Sequence, residues 1–412
     1  MGIVRELADQ LWTGAVSTLE RHPFTPLMVL EEIADRAAFV SSMANVVALD
    51  TAEGLLLVDT GGFVFAPMVY GSLRNWSARP LHTAVYTHGH IDHVFGVERF
   101  DAEAVEKGWP RPQVVSHSAL PARFDRYKLT SGYNSCINSR QFRATVAWPV
   151  EYRYPDVTYD RTHVIIAGDE RIELHHARGE TDDHSWVWIP ARKLLCTGDL
   201  FIWATPNAGN PQKVQRYPRE WAAALREMAA LGAEVLSPGH GVPIYGAGRV
   251  AQALSETAEL LESLHDQTLA MMNAGAALDE ILHTVRAPAH LLERPYLRPV
   301  YDEPEFIVRN LWRLYGGWYD GNPANLKPSP ARVLAGELAA LAGGATRLAQ
   351  RAETLASAGD LQLACHLIEL AAQSAPGDVS IKRLRADLYR RRADTETSLM
   401  AQAIFRSTAD DG

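Results

Sequence analysis

Thr87-His88-Gly89-His90-Ile91-Asp92-His93 follows the apolar run Ala84-Val85-Tyr86. Three imidazoles and a carboxylate within six residues are hard to account for as packing. Histidine is usually only partly buried, and a buried aspartate needs a partner or a metal. The stretch therefore predicts a divalent-metal site at the end of a β-strand. His88 and His90, two apart, can aim both rings at one ion, while Asp92 and His93 can face a second ion. Neutral imidazole and carboxylate donors suit zinc and, less selectively, manganese or iron.

Four ligands in one loop do not complete two metal sites, so acids and histidines must recur at later strand ends. They do so in Gly179-Glu180-Thr181, in Gly198-Asp199 and in Gly239-His240-Gly241. Each potential ligand lies just beyond a hydrophobic run and adjoins glycine. His176 and His184 are alternatives to Glu180, with duller readings as strand and loop residues. Asp59 stands at another strand end, before Gly61-Gly62.

The surrounding pattern predicts how these ligands are carried. Strands are expected within 45–60 and at 83–86, 113–116, 162–167, 171–176, 185–189, 193–197 and 235–236. Helices are expected over 65–77, 98–107 and 218–231, the last with Trp221, Leu225, Met228 and Ala229 on one face. Mixed strands with interspersed helices indicate an α/β or α+β sandwich. Beyond residue 247 the chain turns helical, with a helix over 303–317 and helical hairpins from 330 to 405 broken at 342–344, 358–360 and 376–378. A chain of 412 residues exceeds what one core usually organises. The expected domains are 1–247, catalytic, and 248–412, helical.

A formal charge of −9 argues against a nucleic-acid-binding surface. The basic clusters at 382–385 and 390–392 read as a solvated helix face. Three separated cysteines with no CxxC pair suggest a reducing compartment. Acids near the N-terminus make a poor signal peptide, and no apolar run is long enough to span a membrane. Cytoplasm is the resulting expectation.

The histidine loop together with Asp59, Glu180, Asp199 and His240 resembles the metallo-β-lactamase fold superfamily. That resemblance implies an αβ/βα sandwich with a dinuclear, usually zinc, site at one edge. It implies that His88, His90 and the residue at 180 hold the first ion, that Asp92, His93 and His240 hold the second, and that Asp199 bridges. Most members have histidine where this chain has Glu180. Glutamate there resembles the linear alkylsulfatases, as do Arg294-Pro295-Tyr296-Leu297, Val308-Arg309-Asn310, Gly317-Trp318-Tyr319-Asp320-Gly321-Asn322-Pro323 and the helices from Gly359 to Thr408. The resemblance implies a helical dimerisation domain, hence a homodimer. Two features depart from those sulfatases: they carry a second glutamate where this chain has Asp199, and a further lipid-carrier-like domain for which residues 1–412 leave no room.

Two ions would lower the pKa of a bridging water and supply a hydroxide near neutral pH. Asp92 or Asp199 would orient that water and carry a proton. The expected substrate is a small alkyl sulfate ester or related ester, with carboxylic ester or lactone hydrolysis as the alternative and a non-enzymatic dimerisation scaffold as a third reading. Candidate substrate contacts are Tyr133, Asn134, Asn138 and Arg140 in a polar connector over 129–143, with Arg178, Asn207 and Asn210. Arg309 and Arg313 lie one helical turn apart, and Trp203–Pro206 could form an apolar entrance wall or a packing anchor.

Overall fold

The computed structural model describes residues 2–410. Packing divides the chain into two compact units, Met1–Ser131 with Trp148–Ala276 and Glu280–Gly317, and Gly132–Ala147 with Ala277–Asp279 and Trp318–Gly412. This division falls elsewhere than at 247/248. The long helix Ala247–Asn273 buries Leu254, Ala258, Leu261 and Leu264 in the same core as Trp221 and Leu225 of Pro218–Ala229, so it belongs with the sheets.

The first unit holds two sheets. One comprises β1 (Leu30–Ala34), β2 (Ala37–Val40), β3 (Val46–Thr51), β4 (Gly54–Val58), β5 (Leu81–Val85), β6 (Gln113–His117) and β7 (Val157–Tyr159), in that order. β1 to β4 pair antiparallel and β4 to β7 parallel. The other comprises β8 (Thr162–Ala167), β9 (Glu170–His176), β10 (Ser185–Ile189), β11 (Leu194–Ile202), β12 (Val235–His240) and β13 (Ile244–Tyr245). Among the described residues, only β11 and β12 pair parallel there.

Strand periodicity makes the sandwich. Val47, Leu49, Leu56 and Val58 point into the core shared with the second sheet, while Val46, Ala48, Leu55 and Leu57 face Val69, Leu73, Val97 and Phe100 of the helices Ala66–Trp76 and Val97–Lys107. Both faces of β3 and β4 are thus covered, which explains their nearly continuous apolar run. The helices cross over between the parallel strands β4, β5 and β6, leaving the carboxyl ends of the strands open to carry a site.

The expected elements of the sandwich are present, with two differences. β11 runs on to Ile202, so Asp199 lies within a strand, at a break in register beside Gly198. The segment 129–143 is not a connector loop: Leu120–Leu129 and Ser131–Phe142 are helices.

The second unit is helical. Its helices Ala331–Leu341, Ala345–Ser357, Leu361–Ser374, Val379–Asp394 and Leu399–Asp410 stop at the three expected breaks and at a further one after Asp394. Ala352, Ala364, Ile368 and Leu388 centre its core. Asp360 and Asp378 cap the helices that follow them. Arg385, Arg390, Arg391 and Arg392 pair with Glu369, Asp387 and Glu396, so the basic clusters are a salt-bridged helix face. Among the described residues no helix is long and apolar enough to cross a membrane.

Candidate metal centre

Four strand ends and the interior of β11, at its register break, converge. β4 delivers Asp59, β5 the histidine loop, β9 the turn to Glu180, β11 Asp199 and β12 His240. Close approach is possible because of two glycines. At Gly198, which has φ +50, a Cβ would lie 2.7 Å from His184 Nε2, and at Gly239 it would strike the Asp199 carboxylate.

The ligand atoms form two groups, each with its members within 4.8 Å of one another: His88, His90, Glu180 and Asp199 in one, and Asp92, His93 and His240 in the other. Asp199 links the groups. Its Oδ2 stands 3.8 Å from His88 Nε2 and 3.3 Å from His240 Nε2, and its Oδ1 stands 3.4 Å from His93 Nε2. Asp92 Oδ2 is 3.8 Å from His93 Nε2 and 3.5 Å from His240 Nε2. All seven residues singled out as ligands in the sequence are thus brought together.

The donor set fits divalent ions. His88 Nε2 and His90 Nδ1 face each other at 2.8 Å, and the buried atoms His93 Nε2, Glu180 Oε2 and Asp199 Oδ1 make no hydrogen bond among the described residues. Such buried, unsatisfied polar atoms are costly unless something else meets them. Imidazole and carboxylate donors are what zinc takes.

The ring nitrogens turned away from the ligand groups are held in place. His93 Nδ1 lies 2.7 Å from Asp59 Oδ2, His88 Nδ1 lies 3.0 Å from Thr87 Oγ1, and His240 Nδ1 bonds the Met43 carbonyl. Asp59 also accepts from Thr87 N–H and Oγ–H, both at 2.8 Å, and adopts a left-handed backbone with φ +56. Such partners fix ring orientation and raise ligand basicity.

Charge sets the two groups apart. Burial and the neighbouring histidines hold His88 well below the ordinary histidine value; for His90 burial is joined by Arg216 and Arg123. Burial also opposes charge on His93, but Asp199, Asp59 and Asp92 outweigh it and raise His93 well above that value. Burial and the Asp199 carboxylate push Glu180 well up, with Arg216 opposing. Burial works against the Asp199 carboxylate too, yet His240 and His93 hold it well below the usual range.

Arg216 carries no motif and was missed by spacing. It is almost fully buried, donates Nη2 to Glu180 Oε1 at 3.3 Å and Nε to the Asn207 carbonyl at 3.2 Å. Asn207 donates its amide to the same Glu180 oxygen. Its partner lies 36 residues away in sequence, so only a lone arginine ahead of Tyr217-Pro218 could have signalled it.

His184 stacks on His88 at 4.5 Å and bonds the Thr197 carbonyl, and His176 bonds the Asp182 carbonyl, so both stand outside the ligand groups. Asn210 accepts the Gln212 N–H. Arg178 is exposed and lies over the Tyr217 ring at 3.9 Å. Trp203–Pro206 is buried throughout, with Trp203 donating to the Val242 carbonyl and Thr205 to the Leu297 carbonyl, so the segment packs as an anchor. Arg309 pairs with Glu305, and Arg313 reaches Gln215 and the Lys213 carbonyl. Tyr133, Asn134, Asn138 and Arg140 lie on Ser131–Phe142 in the helical unit, with Tyr133 exposed and both asparagines buried.

Residues 41–240 match the metallo-beta-lactamase superfamily and residues 277–411 match the alkyl sulfatase dimerisation family. A linear primary-alkylsulfatase of Pseudomonas sp. is 30% identical over 368 residues, covering 83% of this chain and 69% of that protein. An (R)-specific secondary-alkylsulfatase of Pseudomonas sp. is 26% identical over 374 residues, covering 84% of this chain and 56% of that protein. The solved structure of a stereoselective inverting sec-alkylsulfatase from Pseudomonas sp. superposes with a TM-score of 0.82 at 22% identity, covering 92% of this chain and 65% of that one. The fold and the paired ligand groups are of the kind found in catalytic hydrolases of this superfamily.

Proposed function

The chain belongs to the alkylsulfatases of the metallo-β-lactamase superfamily, and we propose that it is a dinuclear-zinc hydrolase of alkyl sulfate esters. The observation that carries this reading is the pair of ligand groups joined through Asp199. His88, His90 and Glu180 would hold the first ion, Asp92, His93 and His240 the second, with Asp199 shared. Two such ions, when bound, lower the pKa of a water and offset negative charge developing on the ester oxygens.

The chain's own groups then divide the work. Asp199 is held from both sides by His93 and His240, which fixes the carboxylate that would orient the attacking water. Asp92, with its side chain 20% exposed against 2% for Glu180, is the more open carboxylate and suits proton transfer to solvent. Arg216 is committed to Glu180, where it balances the charge that a carboxylate ligand adds in place of histidine. Asn207 becomes an orienting residue for Glu180 in this reading. Half-buried Lys213, brought down to about 7 by burial and by Arg216 with the carboxylates of Glu180 and Asp92 opposing, would meet a sulfate headgroup as a cation only when protonated. Arg178, Asn210, Tyr133, Asn134, Asn138 and Arg140 remain candidate substrate contacts.

Asp199, the residue usual in the wider superfamily, favours a second reading in which the same site cleaves carboxylic esters or lactones. A panel of alkyl sulfates, aryl sulfates, lactones, carboxylic esters and phosphodiesters separates the two. Sulfate release without carboxylic-ester turnover is expected, and the opposite pattern overturns the sulfatase reading. The match of residues 277–411, with Trp318, Leu326, Val333 and Leu341 exposed in that unit, supports a homodimer built through the helical region.

A further inference from the structure

The backbone between the first two ligands is itself held by a charged group outside the ligand set. Gly89 N–H, between His88 and His90, donates to Asp183 Oδ2 at 2.9 Å. Asp183 Oδ1 in turn accepts Arg123 Nε–H at 2.7 Å, and the Arg123 guanidinium also pairs with Asp182. Asp183 is fully buried and the Arg123 side chain is 3% exposed. Arg123 belongs to the helix Leu120–Leu129, so a packed helix anchors the pair.

Sequence distance gives this arrangement its meaning. Asp183 lies three residues beyond Glu180, and His184, next in the chain, stacks on His88. One short segment therefore supplies the third ligand, braces the peptide between the first two, and backs one of their rings. Rotation of the Gly89 peptide would swing His88 Nε2 and His90 Nδ1 apart from their 2.8 Å approach. Ligand constellations must be held to within about 0.5 Å to work. A buried N–H also needs a partner, and Asp183 supplies one to Gly89.

We propose that Asp183, held by Arg123, is a positioning residue that fixes the His88–Gly89–His90 loop and so sets the affinity of the first-ion site. This rests on the two-ion reading of the centre. The second-ion ligands are braced through Asp59 and the Met43 carbonyl instead, so the effect is confined to one site.

Asparagine at 183 cannot accept from Gly89 N–H and Arg123 Nε–H together, because one of its two terminal positions is an NH2. Asp183→Asn thus breaks the clamp with little change of shape. Chelator-competition titration of zinc into the full chain, wild type against Asp183→Asn and Asp183→Ala, reads each site. In both variants one of two zinc equivalents should weaken about 10- to 100-fold, as for loss of a partner that orients a ligand, while the other holds. Asp182→Asn, which touches Arg123 but not Gly89, should leave both affinities within about three-fold. Unchanged affinities in Asp183→Asn, or an equal fall at both sites, overturns the proposal. A wild-type chain that takes up no zinc overturns the two-ion reading itself.

Discussion

His88 and His93 stand five residues apart in one loop, and the fold pushes their protonation in opposite directions. His88 and His90 lie in a group flanked by buried cations, Arg216 on Glu180 and Arg123 on Asp183, and burial favours the neutral form of both rings. His93 lies among Asp59, Asp92 and Asp199, which favour its protonated form. One side of the centre is thus balanced by arginine and the other by histidine. In the proposed centre the arginine side would tolerate a carboxylate as third ligand, because Arg216 on Glu180 supplies a compensating charge that a histidine ligand would not require.

The largest effect should come from removing both sides at once. His88→Ala with Asp92→Ala deletes one ligand from each group, and ester turnover should fall at least about a thousandfold with zinc content dropping below one equivalent. The helical unit, with its own core, should keep its circular-dichroism signal. Turnover that persists in this protein would place the chemistry elsewhere.

The next test treats the sides separately. Asp59→Asn removes the carboxylate on His93 Nδ1 and should weaken the zinc equivalent on that side about 10- to 100-fold, and the other less, because Asp59 reaches His88 only through Thr87 Oγ1. Glu180→Gln leaves Arg216 buried without a full counter-charge and should weaken the other equivalent by a similar factor. If either substitution weakens both equivalents alike, the two sides are one unit and the contrast between them fails.

The smallest effect is the response to pH. His93 and Glu180 both titrate above their ordinary values in the ion-free chain. Their protonated forms therefore support the ion-free fold at low pH, and that support is lost as pH rises through their raised values. Ion binding runs the other way, since it needs both groups deprotonated and should release about two protons. The gap in melting temperature between zinc-loaded and zinc-free protein should widen from about pH 6.5 upward. A gap that narrows over that range would contradict the assigned directions.

How much of this was legible in the sequence depended on whether the signal was local. The histidine loop and the candidate ligands at 180 and 240 followed apolar runs beside glycine and could be read one by one, and Asp199 beside Gly198 was read the same way although β11 continues past it to Ile202. The apolar alternation of β3 and β4 and the breaks between the last helices were equally local. Ser131–Phe142 was not legible, because Ser131, Gly132, Asn134, Ser135, Asn138 and Ser139 are weak helix formers whose helix depends on tertiary packing. Arg123 and Arg216 were hidden for another reason. A buried arginine is identified by its acid, and theirs lie 60 and 36 residues away in sequence.

Titration of the metal-free full chain with zinc, followed by calorimetry, tests the central claim most directly. Two equivalents with separable affinities, reduced to one tight equivalent by Asp59→Asn, are predicted. A single equivalent in the wild-type chain, or none, would contradict a centre built from two differently braced halves.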